Sequence, residues 1–221
     1  SSQTTIFGGN SSVYAVGFGQ DGAGNRLWVA GGFGTNAVLA YSYNGTTWTA
    51  VASSQNSLFG GTTSTVTSVA YGQDGAGNRL WVAGAAGTIS ALAYSYNGTN
   101  WIAISGSKTA LFGGNAEVSS VAYGQDSEGN RLWIAGSQGD NATLAYSSNG
   151  TNWTSISGSK TALFGGAFCG VLSVAYGRDS GGNRLWVAGA NAFSTTAILA
   201  YSSNGITGWT PIANSKTNLF G

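Results

Sequence analysis

The side chains able to do acid–base or nucleophilic work are few: seven carboxylates, eight Lys and Arg, one cysteine and no histidine in 221 residues. Without histidine, the Ser-His-Asp and Cys-His arrangements are ruled out, and so are most zinc sites. Cys169 has no base to hold its thiol as thiolate and no second cysteine to pair with, so it reads as a small buried or half-buried residue. Arg26, Arg79, Arg131 and Arg184 each follow an aspartate (Asp21, Asp74, Asp126, Asp179) by five residues in the recurring string Asp-x-x-Gly-Asn-Arg. That pairing predicts a local hydrogen-bonded Asp–Arg loop clamp. The alternative is a calcium loop on Asp21, Gly24 and Asn25, but one carboxylate supplies too few hard oxygens for a tight site. The carboxylates left over are Glu117, Glu128 and Asp140. Glu117 and Asp140 fall on one predicted face and are the two carboxyls a glycosidase would need, although no motif selects them. The expectation is therefore no catalytic residue, no metal and no cofactor.

These residues recur because the whole chain does. Gly-Asn-Arg-Leu-Trp sets Trp at 28, 81, 133 and 186, and a second Trp follows at 48, 101, 153 and 209. A period near 53 residues marks an array of units that bury their apolar faces against one another. In the second unit, residues 66–71 (VTSVAY), 79–83 (RLWVA), 91–95 (ALAYS) and 101–104 read as four short strands. Asn97-Gly98 joins the last two as a type I′ turn, with Asn at positive φ. No helical period runs long enough to compete, and a β-solenoid would not favour three successive hairpins. Four strands in a meander make a propeller blade. The expected fold is an all-β, four-bladed β-propeller in a single domain, 1–221, with blades at 10–61, 62–114, 115–166 and 167–221. Small first strands suit its centre, and Trp and Tyr suit the wedges between blades. A Phe-Gly link occurs five times for four blades, at Phe7, Phe59, Phe112, Phe164 and Phe220, and reads as a hydrophobic staple. The surplus copy leaves open half of a larger ring formed by a dimer.

Composition narrows the partners. Charged residues are 7% of the chain, against an average near 25%, and the net charge is +1. Phosphate neutralisation needs clustered Lys and Arg, so no nucleic acid and no anionic membrane is expected. Eight Trp, ten Tyr and nine Phe argue for a packed fold rather than disorder. No apolar run approaches 18 residues, so no membrane insertion is expected. The chain begins without Met and shows no secretory leader at Ser1, and it reads as a mature or excised segment.

The strings SYNGTTW at 42–48, SYNGTNW at 95–101, SSNGTNW at 147–153 and SSNGITGW at 202–209 resemble the Asp-box, or bacterial neuraminidase repeat. More closely, the whole unit (SVAYG, RLWVAG, LAYSxNGTxWT) is similar to the VAYG…VAVG…AYSxDGxxWT repeats of secreted bacterial and giant-virus proteins. The chain departs from that pattern with Asn44, Asn97, Asn149 and Asn204 where Asp is usual, one residue fewer before Gly, and an insertion near Gly208. The resemblance implies a propeller whose boxes are structural and carry no activity. Sialidases of this kind need three convergent arginines, whereas fourfold repetition would set these arginines a quarter-turn apart.

Compared with one another, the units are nearly uniform on the face of the first and last hairpins. They differ on the opposite face. That variable face supplies the candidate ligand residues Phe33, Thr35, Asn36, Thr88, Glu117, Gln138, Asp140, Asn141, Phe168 and Phe193. Neutral hydrogen-bonding groups with isolated aromatics suit sugar hydroxyls and C–H faces. Asn10, Asn44, Asn97, Asn141, Asn149 and Asn152 also fit the glycosylation sequon. The expected function is non-catalytic glycan recognition or adhesion, extracellular or on a cell or virion surface. The alternative is a structural or display protein whose partners are neighbouring chains, as a homo-oligomer. A glycoside hydrolase is the distant third.

Overall fold

The β-branched and aromatic residues around each repeated Trp form antiparallel meanders, because Gly, Asn and Asp close the chain into tight turns between them. The computed structural model describes residues 3–166, 168–192 and 197–220. The first meander comprises β1 (Ser12–Gln20), β2 (Arg26–Phe33), β3 (Leu39–Ser42) and β4 (Thr49–Ala50). The second comprises β5 (Thr65–Gln73), β6 (Arg79–Ala86), β7 (Leu92–Ser95) and β8 (Ile102–Ala103). The third comprises β9 (Val118–Gln125), β10 (Arg131–Ser137), β11 (Leu144–Ser147) and β12 (Thr154–Ser155). The fourth comprises β13 (Gly170–Arg178), β14 (Arg184–Asn191), β15 (Leu199–Ser202) and β16 (Thr210–Pro211). The protein is thus all-β, and its strands shorten from nine residues at β5 to two at β8.

Two local features differ from the expectation. The Asn of each outer hairpin is not in the left-handed region; only its Gly is, with φ of 77° at Gly45 and 73° at Gly98. Side-chain capping replaces the type I′ geometry. Ser95 Oγ accepts from the Gly98 N–H at 2.8 Å, and Asn97 Oδ1 accepts from Thr99 and Asn100 N–H at 3.0 and 2.8 Å. The inserted residue in the fourth unit is absorbed after the turn by Gly208 at φ 65°, and Asn204 keeps its two backbone bonds. The second feature is a bulge in each first strand. Register slips between Val66 and Ser68 in β5, and at the matching place in β1 and β13, leaving one unpaired residue.

The links are short helical turns, at Ser54–Phe59, Ser107–Phe112 and Thr161–Phe164. Phe59, Phe112 and Phe164 are fully buried. Each link also supplies a buried serine: Ser107 Oγ accepts from the backbone N–H of Ala91 and Leu92 at 3.0 and 3.1 Å, tying the link to the start of β7. Ser54, Ser159 and Ser215 repeat the arrangement.

The meanders pack face on face in sequence: β1 on β5, β5 on β9 and β9 on β13. Three cores result. Leu27 and Val29 meet Val66 and Trp81; Leu80 and Val82 meet Val118 and Trp133; Leu132 and Ile134 meet Val171 and Trp186. Among the described residues, β1 and β13 share no such packing, and the outer faces of the first and fourth meanders are left uncovered. Phe18, Val16 and Trp28 are exposed on one, and Gly177 on the other.

Candidate functional site at the meander junctions

Each junction is built from one loop and two strands. In the loop after β5, Asp74 Oδ1 accepts from the Ala76 and Asn78 N–H at 2.9 and 2.8 Å, and Oδ2 accepts from Asn78 Nδ2 at 2.9 Å. The clamp is therefore Asp–Asn, which corrects the expected Asp–Arg pair. Both carboxylate oxygens are satisfied within the loop, and Arg79, the first residue of β6, turns away across the junction. There its Nε donates to Gln20 Oε1 of the preceding meander at 2.9 Å. Burial raises the Asp74 carboxyl pKa, but the Asn78 amide and the loop N–H groups outweigh it and hold the pKa below the usual carboxylate range.

Gln20 organises the junction. Its amide Nε2 donates to Gly24 O at 3.1 Å, which leaves Oε1 free to accept from Arg79 and from the Tyr71 hydroxyl at 3.3 Å. Its backbone carbonyl accepts from Trp81 Nε1 at 2.9 Å. The next junction repeats this with Arg131 and Trp133 on Gln73, and the third with Arg184, Tyr176 and Trp186 on Gln125. Burial pushes the Tyr71 and Tyr123 phenols up, with the neighbouring arginine opposing, so both remain protonated at neutral pH.

A polar recess opens over each of the first two junctions. The first has a volume of about 490 Å³, with Gln20, Tyr71, Gln73, Asn78, Arg79 and Tyr96 in its walls. The second, about 400 Å³, repeats it with Gln73, Tyr123, Gln125, Asn130, Arg131 and Ser148. A groove of about 440 Å³ at the outer rim sets the half-buried Trp153 beside Thr151, Asn152 and Ser155.

The residues chosen from sequence lie at the other end of the sheets. Thr35 and Asn36 are exposed in the loop after β2, where the Asn36 N–H donates to Phe7 O and Thr35 O accepts from Gln55 Nε2. The Thr88 hydroxyl donates to Gly60 O, and the Asn141 N–H to Phe112 O, so these loops rest on the links. Asp140 Oδ2 accepts from both nitrogens of Asn115 at 3.2 Å, and Glu117 O accepts from the Gln138 N–H at 2.9 Å. Phe33 is half-buried and pairs with Thr65, and Phe168 is 85% exposed. Phe193 lies outside the described residues. None of the recesses just described has these residues in its walls. Gln20, Tyr71 and Arg79, which do form a recess, belong to the uniform positions that sequence comparison assigns to scaffold. A signal was present in the recurrence of Gln, Tyr and Arg in every internal junction.

No protein-family model matches the chain, and no curated protein compared with it is detectably similar.

Proposed function

We propose that the four meanders are blades of a propeller-type array, and that the array is a non-catalytic module binding a neutral glycan in its junction recesses. The observation that carries this reading is the recurrence of one polar constellation, Arg-Gln-Tyr-Asn, in two recesses of similar size. Amides and a guanidinium offer planar, paired hydrogen bonds suited to neighbouring hydroxyls, and the tyrosine rings offer an apolar wall. One guanidinium per recess is too little positive charge to favour phosphate. Shallow sites of this kind bind weakly one at a time and gain strength on a multivalent surface, which fits an extracellular or cell- or virion-surface setting. The alternative, a structural or display protein, is favoured by the apolar face left open on the first meander.

A glycan array probed with the purified chain tests the proposal. Binding to one sugar class is expected, with two or more equivalent sites by titration. Arg79→Gln and Arg131→Gln should each remove one of them. No binding to any sugar would overturn the glycan reading.

A further inference from the structure

The three internal junctions share two knobs and two sockets. The ring of Tyr71 lies over Gly19, that of Tyr123 over Gly72 and that of Tyr176 over Gly124, each so close that a Cβ on the glycine would overlap the ring. Val66, Val118 and Val171 fill the same relation to Gly31, Gly84 and Gly136. The two open faces hold the halves of this arrangement that have no mate among the described residues. On the fourth meander a Cβ at Gly177 would meet nothing within 4 Å, and one at Gly189 would meet only Leu199 of its own sheet, at 3.7 Å. On the first meander the matching knobs, Phe18 and Val13, are 51% and 46% exposed, with Val16 at 56% and Trp28 at 36%. Trp28 is the counterpart of Trp81, Trp133 and Trp186, which are fully buried.

We propose that these faces are the two halves of a fourth junction, formed head to tail between two copies of this chain. Phe18 of one copy enters over Gly177 of the other, Val13 over Gly189, and the Trp28 indole reaches the Arg178 carbonyl, as Trp186 reaches that of Gln125. The inference does not depend on the glycan reading, since it rests on the shape of the junctions alone. Two features set this junction apart from the internal three. Where they have Gln, this one has Arg178, whose Nη1 donates to Gly182 O at 2.7 Å. The acceptor for arginine is thereby lost, and Arg26 of the incoming copy meets a like charge. The link segment is also present on both sides. Ile6 and Phe7 are buried against Ala30 and Ala40, whereas Leu219 of Ser215–Phe220 is 60% exposed, so the C-terminal segment is the one that yields its place. Association is therefore reversible and weaker than the internal junctions.

Sedimentation velocity over a wide concentration range tests this with three forms of the chain. The wild type is expected to show concentration-dependent association. Arg178→Gln restores the internal pattern and should tighten it about tenfold, the change expected from replacing a like-charge contact by a hydrogen bond to a charged group. Gly177→Leu fills the socket and should abolish association. At a concentration where the wild type is monomeric its thermal melting should match the wild type's, because the added side chain projects into open space in the monomer. Wild type and Arg178→Gln that both remain monomeric throughout would overturn the proposal, as would association that Gly177→Leu leaves intact.

Discussion

At the residue scale, the same side chain carries different weight according to which junction it enters. Trp133 is fully buried and its Nε1 donates to Gln73 O at 2.9 Å. Trp133→Phe removes that donor and leaves a carbonyl unpaired beside a small void. A loss of about 2–4 kcal/mol follows, measurable by denaturant unfolding. Trp28→Phe, at an open face, should change stability by less than about 0.5 kcal/mol. The loop aspartates give a second prediction. For Asp21 and Asp179 the side chain of Asn25 or Asn183 is the leading cause of a lowered carboxyl pKa. At Asp74 and Asp126 burial is the larger influence, and the loop hydrogen bonds overcome it. A carboxyl whose pKa is lower folded than unfolded stabilises the fold above its unfolded value and stops doing so as pH falls through the folded one. Melting temperature should therefore be level above about pH 5 and fall below about pH 4. Asp74→Asn should lower the neutral-pH melting point and flatten that acid limb. An unchanged acid limb would show that the loop carboxylates do not control it.

At the element scale, the links matter as much as the strands. Ser107 Oγ accepts from two buried backbone N–H groups at the start of β7. Ser107→Ala leaves both unpaired at almost no change in volume and should cost about 2–4 kcal/mol, while Ser107→Thr should recover part of it; unfolding curves of the two variants decide. The meanders themselves were legible from the sequence, because period-two strands and Asn-Gly turns are local signals. The link helices and their bridging serines were not, because their conformation answers to the strand they cap rather than to their own residues. The first-strand bulges were hidden for a similar reason: Thr67 gives no sign in the sequence that its hydroxyl will donate to Gly84 O across the sheet. The candidate recess escaped because no single unit contains it. Gln20 and its partners Tyr71 and Arg79 stand 51 and 59 residues apart, so a comparison of unit with unit finds the repeat but not the cavity between repeats.

At the scale of the whole molecule, stability should be graded along the chain. Among the described residues the extensive contacts of each meander are with its neighbours in sequence, so an internal one is held by two junctions and a terminal one by a single junction. The exposure of Phe18 and Trp28 at one end and of Leu172 and Tyr201 at the other marks the faces that lack support. In the fully buried middle, Leu80, Trp81, Leu132 and Trp133 are covered on both sides. Local opening should therefore begin at the ends and reach the centre only with global unfolding. Native-state hydrogen exchange is expected to show the slowest amides in β6, β9 and β10, faster exchange in β1 and β14, and the fastest in the two-residue outer strands. The gradient also gives the head-to-tail junction an independent readout. If copies associate through the end faces, raising the protein concentration should slow exchange in β1 and β13 and leave β9 unchanged. Protection that rises evenly across the sheets would mean that the ends are not where copies meet.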